Sequence, residues 1–148
     1  MGLQQILYVV LTVIVVGVAI AVGVTMFGGR AYAENKSALA TEINNYASQA
    51  IQYWRMPLSM GGASMDANNI NLAALALFLG FQNTGGENAV YSIKSDNGEY
   101  RIMGINGTNL IIHGLGKEEK SGKHPLAKTT INISTSAITT AFADTTGF

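Results

Sequence analysis

From Ile6 to Phe27 the chain is built almost wholly of hydrophobic side chains. Thr12, Gly17, Gly23 and Thr25 are the only departures, and no charged residue precedes Arg30. A run of this kind matches the ~20 residues needed to cross ~30 Å of hydrocarbon. Without water to bond to, such a backbone must satisfy its own amides, which dictates a helix. The period then changes without an evident break. Leu39, Ile43, Tyr46, Ala50 and Trp54 recur at spacings of three and four, and Ala47, Ile51 and Tyr53 widen that stripe. Glu34, Lys36, Glu42, Asn44, Gln49 and Gln52 lie mostly off it, the pattern of an amphipathic helix with one face to bury. Pro57 stops the pattern and pushes Met56 out of helical geometry. The expectation is one helix over Leu3–Met56, ~80 Å long at 1.5 Å per residue. The rest of the chain is too small to bury it. Half must project, into a membrane or among other copies of itself. Glu42 has no strong ion partner along the helix, so electrostatics are expected to add little there.

The chain accordingly divides into an apolar half-helix at 1–29, an amphipathic half-helix at 30–56 and a head at 57–148. The 148 residues leave room for one modest core if the amphipathic half helps to cover it. Equal numbers of acidic and basic residues give zero net charge, so no basic surface argues for nucleic acid. Lys117, Lys120 and Lys123 cluster, but with Glu118 and Glu119 among them, as in a solvated loop. With no cysteine there is no disulfide, thiolate nucleophile or cysteine-ligated metal. Ala31-Tyr32-Ala33 has the look of a signal cleavage site, yet the amphipathic pattern runs straight past it and no basic residue precedes the apolar run, so cleavage there is not expected. Arg30 and Lys36 follow the span, and the positive-inside rule taken alone would keep the C-terminal part in the cytoplasm.

After Pro57, residues 57–69 read as a loop in which Gly61-Gly62 marks flexibility or a tight turn. Asn71 to Leu79 reads as a short apolar helix, capped by Asn69 or Asn71 and closed by Gly80. Residues 82–88 form a second loop. The period then becomes two. Val90 to Lys94, Glu99 to Ile105, Leu110 to Leu115 and Thr129 to Ser134 read as strands, and Thr135 to Phe142 extends or doubles the last. Asp96-Asn97-Gly98 and Asn106-Gly107 are hairpin signals, the second suited to a type I′ turn. A charged loop, 117–125, leads into the fourth strand. The fold class is α+β: a long helix covering a small antiparallel meander through Leu39, Ile43, Tyr46, Ala50 and Trp54.

No catalytic or ligand constellation emerges. His113 lies in a strand and His124 in a loop, neither within metal-ligand spacing of other donors. Gly61-Gly62 and Gly114-Leu115-Gly116 open no helix after a strand and read as loops rather than phosphate cradles. Asp96-Asn97-Gly98 lacks the later ligands of a calcium loop. Asn35, Asn106 and Asn132 head glycosylation sequons. The aromatic series Tyr8, Phe27, Tyr32, Tyr46, Tyr53 and Trp54 is expected to serve packing rather than electron transfer. The expectation is a non-enzymatic protein without cofactor, metal or small-molecule substrate.

An apolar half-helix, an amphipathic continuation, a variable loop and an antiparallel sheet together resemble a type IV pilin or pseudopilin. In that family a leader is removed after a glycine, and a glutamate five residues into the mature chain pairs with a neighbour's amine. Here Gly2 is the only early glycine, and the fifth residue beyond it is Leu7. Gln4 and Gln5 are the polar residues nearest the place of that glutamate, and the family's cysteine-closed loop is absent. Gly17 and Gly23 fall where many pilins carry a proline or glycine and where the helix loosens in the filament. The resemblance implies a structural subunit of an extracellular filament at the cell surface, with copies of itself as partner and the inner membrane as its station before assembly. Gln4, Gln5, Gly17, Ala19, Ala21 and Gly23 are then the expected assembly residues, small side chains allowing close helix approach. The alternative is a single-pass membrane-anchored binding protein that works through its head, with loops 57–69 and 82–88 as its surface.

Overall fold

The computed structural model describes residues 2–85 and 91–148. Helix α1 spans Gly2–Arg55 without a break, through Gly17 and Gly23 alike. Helix α2 is Leu72–Phe78. The strands are β1 (Gln82–Asn83), β2 (Tyr91–Lys94), β3 (Gly98–Asn106), β4 (Asn109–Gly116), β5 (His124–Asn132) and β6 (Ala137–Thr145). They form one sheet in sequence order, every neighbouring pair antiparallel. The molecule is thus α+β, with a long helix laid on a meander.

The helix ends where Pro57 denies it a further amide. The following residues then fold back over its last turn. Ala63 N–H donates to the Tyr53 carbonyl at 3.1 Å, Met65 N–H to Trp54 at 2.8 Å and Ser64 N–H to Met56 at 2.9 Å. The carbonyls orphaned at a helix C-terminus are thereby satisfied from within the chain. This close return requires Gly62, where a Cβ would stand 2.3 Å from the Met56 carbonyl oxygen. Of the two readings for Gly61-Gly62, the tight turn is the one realised. The loop also carries two short 3-10 turns, Leu58–Met60 and Ala67–Asn69. Asn71 caps α2 as expected, its Oδ1 accepting from Ala73 N–H at 2.9 Å, and Gly80 follows the helix at φ +81°.

The core lies between α1 and the inner face of the sheet. Leu39, Ile43, Ala47 and Ala50 from the helix meet Tyr100, Leu110, Ile112, Ala127 and Ile131 from the strands, all fully buried. Burying each of the leucines and isoleucines among them contributes ~1.5–3 kcal/mol. Tyr46 is half-buried and packs edge-on against Phe81 and Tyr100, with centroids at 5.1 and 5.4 Å. Tyr53 and Trp54 close the far end, Tyr53 lying against Phe78 of α2.

Several boundaries differ from the expectation. Residues 82–88 are not all loop, since Gln82–Asn83 pairs with β2; 86–88, like Val90, lie outside the described residues. The last two strands are a hairpin, with β5 opening at His124, so His124 and Pro125 belong to a strand and not to the charged loop. Ile133 lies beyond that strand's end, yet is fully buried. The Asn106-Gly107 hairpin is shifted by one residue. Asn106 pairs with Asn109, so Gly107 and Thr108 are the central residues. Only Gly107 has positive φ, +59°, as in a II′ rather than a I′ turn. Gly114-Leu115-Gly116 is strand, not loop. Its glycines face the helix: a Cβ on Gly114 would meet the Tyr100 ring at 2.8 Å, and one on Gly116 the Asn35 Oδ1 at 2.0 Å. Glycine inside a strand here marks where another element comes close.

Candidate assembly surface and its anchor to the head

The exposed feature of this molecule is the first half of α1. From Leu3 to Phe27 its large hydrophobic side chains are between 50% and 87% exposed. An 18-residue window of this helix has a mean hydropathy of 2.9, with none of the window buried, so by length and composition it is able to cross a membrane. Gln4, Gln5, Gly17, Ala19 and Ala21 are exposed along it, while Gly23 is partly covered. A Cβ on Gly17 or Gly23 would meet nothing within 4 Å. At about 100° per residue, Gly17 and Ala21 share one side of the helix, and Ala19 and Gly23 share another roughly opposite. Among the described residues, no other element of the chain lies against any of them. The remaining stripe residues sit in the head: Leu39, Ile43 and Ala50 fully buried, Trp54 8% exposed.

The amphipathic half is held to the sheet by polar anchors as well as by its stripe. Tyr32 is buried, and its hydroxyl donates to Asp144 Oδ1 of β6 at 2.5 Å. Burial pushes its phenol up to about 12, and the bond to Asp144 adds to the rise. Asp144 is held below its ordinary range, chiefly by that hydroxyl. Lys36 stands 3.8 Å from the same carboxylate and over the rings of Tyr32 and Phe142. One turn on, Asn35 Nδ2 donates to the Asn97 carbonyl at 2.7 Å, and its Oδ1 accepts from Glu118 N–H at 3.4 Å.

Glu42 corrects the sequence reading. Its carboxylate accepts from Ser95 Oγ at 2.8 Å and from Asn97 Nδ2, both in the β2–β3 turn. Burial by itself would raise its pKa. The Tyr100, Asn97 and Ser95 donors around it outweigh that and hold it below its ordinary value. Of these, the buried Tyr100 hydroxyl faces the carboxylate without completing a hydrogen bond. Nothing along the helix marks this site, because its partners are neutral and 53 and 55 residues distant. Asn35, noted for its sequon, is 7% exposed with its amide already engaged, unlike the exposed Asn106.

Among the described residues of the two expected binding loops, Asp66 is the only titratable side chain. Among the described residues no group of three or more His, Asp and Glu is placed to hold a metal ion. Comparison with protein-family models, curated proteins and solved structures returns no match. The chain is therefore defined by its architecture: a long N-terminal helix, apolar and exposed in its first half, packed by its second half on an antiparallel sheet, an arrangement compatible with a pilin-like fold.

Proposed function

We propose that this protein is the structural subunit of a pilin-like extracellular filament, held in a membrane before assembly and joined to its neighbours through the first half of α1. The observation that carries the reading is that half-helix, apolar on every side and covered by none of the described residues of its own chain. Left in water, its large side chains would forgo ~1.5–3 kcal/mol each. A lipid bilayer meets that need at one stage and a bundle of identical helices at another. Two pairs of small residues, Gly17/Ala21 and Ala19/Gly23, lie on nearly opposite sides. Close approach on two sides suits a helix with several neighbours better than a lone anchor.

The role proposed is structural rather than catalytic. The rival reading, a membrane-anchored binding protein acting through its head, shares the same helix. Electron microscopy and mass spectrometry of purified surface filaments separate the two. Filaments containing this chain support the proposal, and a chain found only as membrane-bound monomers refutes it.

A further inference from the structure

The sheet has two unlike edges. β1 closes one side with two residues, whereas β6 closes the other with nine. Natural proteins blunt long edge strands with lysine, proline, bulges or a covering element. Strand β6 carries no lysine, proline or glycine, its register with β5 is unbroken, and Asp144 near one end is its only charge. The direction of its hydrogen bonds follows from Pro125. That residue is paired with Asp144 and has no N–H to exchange, so this is a non-hydrogen-bonded pair. Alternation makes 138, 140 and 142 non-hydrogen-bonded as well. Thr140 and Thr129 agree, their hydroxyls 3.0 Å apart as the closer side chains of such a pair allow. Ile138, Thr140, Phe142 and Asp144 therefore aim their N–H and C=O groups at the open edge. Helix α1 lies mainly over β4 and β5, leaving Ile138 and Phe142 on the overhanging inner face at 38% and 42% exposure.

We propose that the β6 edge is an intersubunit contact, taking as its partner the β1 edge of a second copy of this chain, so that the head sheets join edge to edge along the filament. Strand direction selects this partner. Six strands in strict antiparallel order leave β1 and β6 running in opposite directions. A neighbour set beside the first without being turned over then presents β1 antiparallel to β6, and the ladder continues. All α1 helices stay parallel, as chains inserted from one side of a membrane must be. Pairing β6 antiparallel with β6 of a second copy would instead turn one head end for end, and its apolar half-helix with it, while pairing the two in parallel would put the two helices on opposite faces of the joined sheet. A contact between two different edges is head-to-tail, and such contacts build open filaments when the rotation does not close. This proposal rests on the filament reading, though its failure is distinguishable from the failure of that reading.

The chain has no cysteine, so introduced pairs report without background. Asn83→Cys is combined in turn with Ile138→Cys, Thr140→Cys and Phe142→Cys in the full-length protein, and assembled material is oxidised mildly. The expected result is a ladder of covalent multimers beyond the dimer from at least one pair, with every single-cysteine variant remaining monomeric. Monomers from all three pairs overturn the proposal, as do covalent dimers from Thr140→Cys alone, which would mean that β6 meets itself. Electron microscopy of the same samples separates the two ideas. Filaments without any cross-link remove the edge contact and keep the filament. A ladder in membranes that never yield filaments does the reverse.

Discussion

Replacing Glu42 with alanine removes the carboxylate that ties the β2–β3 turn to α1. Ser95 Oγ and Asn97 Nδ2 lose their acceptor, and the buried Tyr100 hydroxyl loses the charge that it faces. A hydrogen bond to a charged group is worth about 1.5–3 kcal/mol when well shielded. Both bonds here are only partly buried and share one acceptor, so about 2 kcal/mol together is the expected loss. The single tryptophan, Trp54, is 8% exposed in the head core and reports its unfolding by fluorescence. For full-length protein in detergent, a urea slope of about 1–3 kcal/mol per molar places the Glu42→Ala midpoint roughly 1 M below the parent's. The effect is linked to pH with a definite sign. The folded-state pKa of Glu42 is lowered, so its contribution is complete above the unfolded value and is lost as pH falls through the folded one. Taking the difference between parent and variant cancels the other carboxylates, Asp144 included. That difference should be constant near neutrality and shrink below the ordinary carboxylate value of 4.5. Midpoints within about 0.3 M of each other, or a difference that survives full protonation, would refute the reasoning.

Trp54→Ala should cost ~3–5 kcal/mol and, followed by circular dichroism, bring the head close to unfolding; an unchanged melt would place Trp54 outside the core. Gly116→Val should displace the Asn35 side chain, whose Oδ1 would stand 2.0 Å from the new Cβ, and lower the thermal midpoint by several degrees; an unchanged midpoint contradicts the close approach. Tyr32→Phe removes the hydroxyl bonded to Asp144, and amide exchange in β6 should quicken several-fold while β4 stays protected. Ala19→Leu with Gly23→Leu should abolish filaments while membrane insertion persists; normal filaments from that pair would return those residues to the role of a simple span.

What the sequence made legible was periodic. The 3.6-residue stripe through Leu39, Ile43 and Ala50 and the alternation through Tyr100, Ile102 and Leu110 place helix, sheet and core, because apolar spacing is a local property of the chain. Boundaries set by partners were not legible. Nothing local shows that β5 begins at His124, since its pairing with β6 decides that. Gly114 and Gly116 resemble loop glycines until the helix crossing them is known. Glu42, Asn35 and Tyr32 look like ordinary helix-surface residues because their partners lie 53 to 112 residues away. The free half of α1 is the opposite case. Its composition is informative because no other described part of the chain covers it.

Those three anchors answer a question that the apolar stripe leaves open. Hydrophobic burial is non-directional, and a helix with a continuous stripe loses little by sliding or rolling slightly on a sheet. Hydrogen bonds tolerate no such freedom, weakening steeply with angle and distance. Tyr32 holds α1 to β6, Asn35 holds it to the β2–β3 turn and the chain after β4, and Glu42 holds it to that turn again two helical turns further on. Attachment at both flanks resists rolling, and attachment at two heights resists sliding. The seat of α1 on the sheet is therefore fixed more tightly than its apolar contacts require. Because α1 is one unbroken helix, that seat also sets the direction in which residues 2–29 leave the head. A rigid angle between the projecting half and the β6 edge is what a repeating contact needs, since helix packing and edge pairing must be satisfied by the same rotation from one copy to the next. A tether between the two halves would decouple them. The anchors thus belong to the geometry of the proposed assembly as much as to the stability of the head.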